Sequence, residues 1–504
     1  MNKLIMMIGA AGCLALGAYA TASTPPSTLV DLTTNGSNPS GSVDGYSTLY
    51  NKSYPGDKAF DGINNSLTLA SRWMPKKADN MWVVYKFNAA TVVDAIRIYL
   101  PTKEAVNQTA RAPRDWTFEG SNDNSTWVVL DTQTGETGWS ESGIGESRYY
   151  KFTNTTAYEY YKFNCTDNNG ATDCMQVQEI EFYCVGTANS TWTGGTTDLL
   201  SDVANWGGTS MPGCEYDAYI YNTGSTPAVV PGGLTVYKNL RVGSGSGNSA
   251  NVVQTNGSIK GSANMSVGYG NGSYGEYIMN GGTCSFAQIF IAYNSGSSGM
   301  YKMTGGACAV SGDIVSIGRY GTGTLEISGD GTAVTSQTVR VGFTNGNNKG
   351  TGTLVVTNGG GIAATQLYAG AGASATNQAT VTFNGGKLTA TAANDAFLKD
   401  FSNIQLEAGG LTIDTQGYAL GITNCTFNVT GNGKITVVGG SAVTFDNVKV
   451  NLSVKPSSAY VFAETDGIFS GLPNIGGIKG CKVSLSDDLK RVTVSPRGLI
   501  ISFF

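Results

Sequence analysis

The chain has 504 residues and a formal charge of −5, with 31 Lys and Arg against 36 Asp and Glu and no histidine. The missing histidine removes the commonest general base, the usual zinc ligand and every Ser–His–Asp triad. The small, dispersed acidity argues against a nucleic-acid partner. The length predicts two to four domains. Glycine is abundant at 69 residues, and charged residues make up 13%, about half the usual share.

Lys3 precedes an apolar run at 4–18, and the small residues of AYATAS come next. This layout predicts an export signal over 1–22, cleaved after Ala20 or Ala22, and a mature protein that is secreted or held at a bacterial cell surface. Lipoprotein processing at Cys13, in AAGC, is the rival, but the usual leucine three residues upstream is missing. The run is too short for a membrane span, and no later apolar stretch is long enough, so no transmembrane segment is expected in the mature chain. Cleavage beyond Cys13 leaves eight of the nine cysteines, an even number suited to an oxidising space.

Residues 29–184 hold short aromatic-rich runs such as WVVYKF, IRIYL, WTFEG and YYKF, bounded by Gly, Asn, Asp and Pro. Such runs predict an all-β sandwich or barrel. The segments AFDGI (59–63), SRW (71–73), MWVVYKF (81–87), VDAIRIYL (93–100), APRDWTFEGSNDNSTWVVL (112–130) and VQEIEFY (177–183) occur in the order of one family. They resemble the discoidin, or coagulation factor 5/8 type C, family, which includes bacterial carbohydrate-binding modules. The resemblance covers the whole module and implies a β-sandwich with a ligand surface in the loops at one end.

It also implies a structural Ca²⁺ at the matching positions Asp61, Asn64, Ser66 and Glu179. The chemistry is apt, since calcium takes about six to eight oxygens and FDGINNS is oxygen-rich and turns at Gly62. The same residues also suit an ordinary β-turn. Sugar sites set an aromatic face against the ring and fix it with a few polar groups. Trp139 in TGWSESG, with Arg72, Arg111 and Arg114, supplies the candidates. The alternatives are a Trp139 folded back on the sandwich and arginines that are solvated or paired. Trp73, Trp82, Trp116 and Trp127 lie in strand-like runs and are expected in the core.

Residues 185–240 read as a linker and the N-terminal cap of a solenoid. The W-x-GG…NW arrangement of Trp192 and Trp206 resembles the segment opening glycine-rich repeats in autotransporter-associated bacterial surface proteins.

Beyond Arg241 the chain repeats. EYIMNGGTCSF, MYKMTGGACAV and TLEISGDGTAV set Asn280, Thr304 and Ser328 24 residues apart. A second column runs RVGSGSG (241–247), SVGYGNG (266–272), IAYNSGS (291–297), SIGRYGTG (316–323) and RVGFTNG (340–346). Two-residue alternation puts Tyr277, Tyr301, Leu325, Leu354 and Val381 inward, and Ile278, Lys302, Glu326, Val355 and Thr382 outward. Units this short bury an apolar face only by stacking, which predicts a parallel β-helix over 241–454 and a cap over 455–504. The expected rod is roughly 40 Å long at about 4.8 Å per rung.

Cys284 and Cys308 then share one column on adjacent rungs, with Thr332 next. Backbones about 4.8 Å apart lie within disulfide range, but parallel stacking holds the Cβ atoms slightly too far apart, so a disulfide and a pair of stacked thiols both remain open. Catalytic β-helices need clustered carboxylates for calcium or acid–base work. No two acidic residues in 242–440 fall in one column a coil apart, and the outward face reads as Thr, Ser, Asn and Gly. No enzyme is expected. The leading expectation is a non-catalytic adhesion protein that presents a module for glycan, or another extracellular surface ligand, on a β-helical stalk. The alternatives are a secreted polysaccharide lyase or hydrolase with a catalytic β-helix, and a structural surface-layer or matrix protein.

Overall fold

The computed structural model describes residues 22–26, 29–33, 40–64, 71–101, 108–140, 146–194, 197–207, 211–345, 348–370, 378–476 and 480–496. The expected leader, apart from Ala22, and Cys13 lie outside the described residues.

The protein is all-β. A five-stranded antiparallel sheet, in the order Gly41–Tyr46, Met81–Val92, Ala157–Asn168, Pro113–Ser121 and Val128–Gln133, belongs to the N-terminal sandwich. Its partner is a three-stranded sheet of Ser147–Lys151, Ala95–Tyr99 and Glu179–Tyr183. Alternation decides the core: Val83, Tyr85 and Phe87 point inward and are buried. Phe118 stacks on Tyr161 at 5.5 Å, and Trp116 meets Tyr150 edge-on at 4.9 Å. Each buried aromatic of this kind contributes about 2–3 kcal/mol.

Trp73 and Trp116 lie in this core as expected. Trp82 and Trp127 do not. Both are half-buried. Trp82 alternates out of phase with its buried neighbours Met81 and Val83, and Trp127 ends the turn before Val128–Gln133.

Within 185–240, where a linker and the solenoid's N-terminal cap were expected, the parallel strands of the solenoid have already begun. Ser190–Trp192 already pairs in parallel with Asp217–Ile220. The Trp206 indole N–H donates to the Leu200 carbonyl at 2.9 Å, and its ring meets Tyr237 at 5.8 Å. The solenoid has about 11 turns, built from three long sheets. The coils thus begin before Arg241 and continue past Val454, to Asn474–Gly476. Corners rich in Gly, Pro and Ser obscured the repeat at both ends. The hairpin of Cys481–Leu485 and Arg491–Pro496 closes the far end antiparallel, where an open strand edge would otherwise invite pairing.

Tyr277, Tyr301, Leu325, Leu354 and Val381 are successive register partners, and all are buried. Lys302 is exposed, and Ile278, Glu326, Val355 and Thr382 are half-buried on the outer side. At the adjoining corner Gly268 and Gly318 have φ of 74° and 69°, and a Cβ there would meet a backbone carbonyl oxygen at 2.2 and 2.1 Å. Only glycine fits both demands.

Cys284 and Cys308 are register partners on adjacent rungs, and both are buried free thiols. The next residue in their column is Val334, not Thr332. Ile327 comes 24 residues after its partner Met303, whereas Val334 comes 26 after Cys308, so two residues are inserted at the intervening turn.

Candidate functional site

At one end of the sandwich, loops near residues 50, 74, 111 and 175 are laced together. Isolated bridges join Leu49 to Pro75, Trp73 to Val177 and Lys76 to Cys174. The Tyr50 N–H donates to the Met74 carbonyl at 3.0 Å, and the Gln176 N–H to that of Arg111 at 3.0 Å.

This frame brings Arg72 and Arg111 together, each beside a tyrosine. Arg72 is only 8% exposed and lies 4.5 Å over the Tyr54 ring. Its buried Nε and Nη1 have no hydrogen-bond acceptor among the described residues. A buried donor left this way costs about 1–3 kcal/mol. Arg111 donates from Nε to Asp173 at 3.1 Å and lies 5.8 Å from the Tyr50 ring centre. The Arg111 hydrogen bond holds the Asp173 carboxyl below its usual range. Tyr50 itself is 49% exposed. The cluster therefore offers an open ring, a buried guanidinium seeking acceptors, and a carboxylate that accepts hydroxyl protons.

The other two predicted ligand residues are elsewhere. Trp139 is 6% exposed, donates from its indole to the Pro113 carbonyl at 3.3 Å, and is covered by the Arg148 guanidinium at 4.1 Å. It has no open face for a sugar, because the loop folds it back onto the sandwich. Arg114 is neutralised by Asp115 at 2.7 Å and by Asp167, which also contacts Lys77.

Of the predicted calcium ligands, Asp61 and Glu179 come together: the Gly62 N–H donates to Glu179 at 3.0 Å, and Ser71 and Lys58 hold Asp61 at 2.6 and 3.1 Å. Asn64 turns its amide to Glu181 at 2.7 Å. Ser66 lies outside the described residues. Among the described residues no three acidic, His or Cys side chains form a ready metal cluster. The electrostatics nevertheless suit a cation. Glu179 Oε2 is buried without a partner, and burial, with Asp31, Asp61 and Glu181 adding to it, pushes Glu179 up to about 9. Burial and Glu181 likewise push Asp31 up to about 7. A bound cation relieves both effects.

A second surface was missed from sequence. Asn80, Trp82, Asn124, Trp127, Lys162 and Asn164 line a cavity of about 350 Å³ on the outer face of the five-stranded sheet. Trp82 and Asn164 are register partners, Lys162 lies 4.2 Å over Trp127, and its charge is taken by Glu119 at 2.5 Å. The signal was present in MWVVYKF, where Trp82 breaks phase with its buried neighbours. In the solenoid, a cavity of about 750 Å³ beside Lys434 and Tyr460 has no carboxylate among its described lining residues. Asp414 is tied to Lys387 at 3.1 Å.

Comparison with known proteins bears on the first domain. The family model described as F5/8 type C domain matches residues 40–180. That segment is an F5/8 type C domain. A peptide-N(4)-(N-acetyl-beta-glucosaminyl)asparagine amidase of Arabidopsis thaliana is 33% identical over 135 residues, which are 25% of this chain. The match spans only 17% of that plant protein. Among solved structures, chitosan-binding module 1 of a Paenibacillus sp. IK-5 chitosanase/glucanase is 18% identical, covering 31% of this chain and 99% of the module, with a TM-score of 0.23. CBM32-3 of a Clostridium perfringens family 31 glycoside hydrolase is 18% identical over 31% of this chain and 94% of its own, with a TM-score of 0.24.

Proposed function

We propose that the F5/8 type C domain binds a glycan non-catalytically at its loop end, and that the solenoid carries it in an exported or surface-held protein. The carrying observation is the open ring of Tyr50 beside the Arg111–Asp173 pair, with Arg72 packed over Tyr54 in the same loop cluster. A sugar laid on Tyr50 lies beside the Arg111–Asp173 pair, where the partly exposed Asp173 carboxylate accepts hydroxyl protons. The plant relative's name, which specifies an N-acetylglucosaminyl linkage, supports a sugar as the ligand class. Asp61 and Glu179 would hold a Ca²⁺ in this proposal, and the ion would neutralise their charge and keep the loop in shape rather than touch the sugar.

A glycan array probed with the full chain tests the reading. One glycan class should be retained, and Tyr50→Ala should weaken it about tenfold or more, as loss of a central aromatic contact does. Trp82→Ala, in the sheet-face cavity, should leave it unchanged. If Trp82→Ala removes binding and Tyr50→Ala does not, the loop end is the wrong site. If no glycan is retained, glycan binding itself is wrong.

A further inference from the structure

We infer that the outer side of the solenoid sheet that begins with Ser190–Trp192 and Asp217–Ile220 is a binding platform for a linear polysaccharide bearing carboxylate or sulfate groups. This inference is independent of the loop-end site.

Residues at one outward register position run Tyr219, Arg241, Ser266, Phe290, Ser316 and Arg340 on consecutive rungs. Large and small alternate through Arg241–Arg340, so Ser266 and Ser316 are buried on a face that ought to be solvated. A neighbouring column, three residues further on and just past the end of each strand, carries Tyr269, Tyr293, Arg319 and Phe343. These are the variable positions of the glycine-rich repeat column, SVGYG, IAYN, SIGRYG and RVGF.

The two columns interlock. Tyr269 and Tyr293 lie 5.2 Å apart with their rings tilted by 32°. Arg319 lies 4.4 Å over Tyr293 and 5.0 Å over Phe290, and Arg340 lies 4.1 Å over Phe343. A guanidinium stacked on a ring keeps its in-plane N–H donors for another partner.

The charge is incomplete here. Arg241 has Asp217 at 2.8 Å. Arg319 and Arg340 have no carboxylate in salt-bridge range among the described residues; Arg340 donates to the Ser316 hydroxyl, at 3.2 and 2.9 Å, and is hydrogen-bonded to Tyr368 on the next rung. Burial, with the Arg319 charge adding to it, pulls the Arg340 guanidinium below its usual value. Two like charges, half-buried and close together without a counter-charge, are a poor arrangement for an empty protein surface. An anionic ligand supplies the missing charge, and the rings beside it suit the apolar faces of sugars.

The spacing favours a sparsely charged polymer. Arg241 and Arg340 are four rungs apart, roughly 19 Å. A nucleic-acid strand presents a phosphate about every 3.4 Å and selects denser basic surfaces. A polysaccharide, whose acids sit on separate sugar rings, is more widely spaced and matches better.

Affinity electrophoresis of the full chain in gels containing polygalacturonate, dextran sulfate, neutral dextran or poly(dT) tests this. Polygalacturonate, dextran sulfate or both should retard the protein, and neutral dextran should not; which polyanion works distinguishes carboxylate from sulfate recognition. Arg319→Gln, at a side chain with no hydrogen-bond partner among the described residues, should weaken retardation about tenfold or more. Arg340→Gln should do the same, and added salt should weaken wild-type binding. The inference is overturned if neither polyanion binds, or if both folded arginine variants bind like wild type. Equal binding of poly(dT) overturns it in favour of nucleic acid. Polyanion binding that is lost in Tyr50→Ala but kept in Arg319→Gln overturns it in favour of the loop end.

Discussion

Leu325 and Glu326 are adjacent in the strand Thr322–Ser328, and the register sends them to opposite sides of the coil wall. Leu325 is 0% exposed, with Tyr301 and Leu354 as partners on the two neighbouring rungs. Both partners are held by parallel ladders that cannot close in when the isobutyl group is removed. Leu325→Ala should therefore fall in the upper part of the large-to-small range, about 3–5 kcal/mol. The Glu326 side chain is 34% exposed, and its partner Lys302 is 4.0 Å away, at the limit of an ion pair. Glu326→Ala should lie within about 0.5 kcal/mol of neutral. Urea titration followed by far-ultraviolet circular dichroism reads the difference; tryptophan emission does not, because the last tryptophan is Trp206. In a solenoid each coil leans on its neighbours, so a central cavity should also broaden the transition. Equal losses, or a larger loss for Glu326→Ala, would show that the inward and outward sets are exchanged.

Trp139→Ala should cost about 3–5 kcal/mol in the thermal or urea transition while the folded fraction keeps its glycan retention; the opposite pattern would restore Trp139 to the ligand site. Burial pushes the Asp94 carboxyl up to about 6, above an unfolded value of about 3.9. Its contribution to stability is complete below about pH 4 and lost as pH rises through about 6, so Asp94→Asn should flatten that part of the melting profile; an unchanged profile refutes the assignment. Calcium should raise the melting temperature of the full chain over a chelator control, and Glu179→Gln should abolish the rise; identical wild-type curves would mean that no ion binds. Burial raises the Cys284 thiol well above its usual value, so a water-soluble aromatic disulfide should label neither Cys284 nor Cys308 until the protein is denatured. Failure of the denatured pair to label would reveal a disulfide between them.

The strand periods were legible wherever alternation was strict. The sandwich segments and the column from Tyr277 to Val381 could be read because burial on one side leaves a two-residue pattern. What escaped was anything set by contacts between rungs. The outward face looked blank when read along one strand, because its character lies across strands: Arg241, Phe290 and Arg340 are far apart in sequence and share one column, on alternate rungs, only by register. Trp139 misled for a related reason. Its flanking glycines and polar residues signal a loop, but its ring is fixed by Pro113 and Arg148, neither of which is a close sequence neighbour. The Trp82 cavity was recoverable from phase alone, and the assumption that a strand tryptophan belongs in the core concealed it.

The join between the domains obeys the same logic. VGTANSTWTGG has the composition of a free tether, yet the chain there is pinned. Asp94, buried in the sandwich, accepts the N–H groups of Val185 and Gly186 at 2.7 and 2.8 Å, and Lys151 donates to the Gly186 carbonyl at 2.8 Å. Those N–H groups leave the last sandwich strand just before Ser190–Trp192 enters a parallel sheet, so neither ladder can satisfy them. A buried carboxylate costs about 3 kcal/mol for a pKa displaced this far, but two unpartnered buried amides would together cost as much or more. From Gly186 the chain is tied again, since Thr187 donates to Met211 at 3.1 Å and Cys214 to Cys184 at 3.0 Å. Residues of the sandwich and the solenoid, such as Ile96 and Trp206, accordingly belong to one continuous apolar core. With no slack between them, a loop-end site and a solenoid platform hold one fixed separation. If both proposed sites bind, a single polysaccharide would engage them together only where its two determinants match that span, and the join would then act on selectivity as well as on stability.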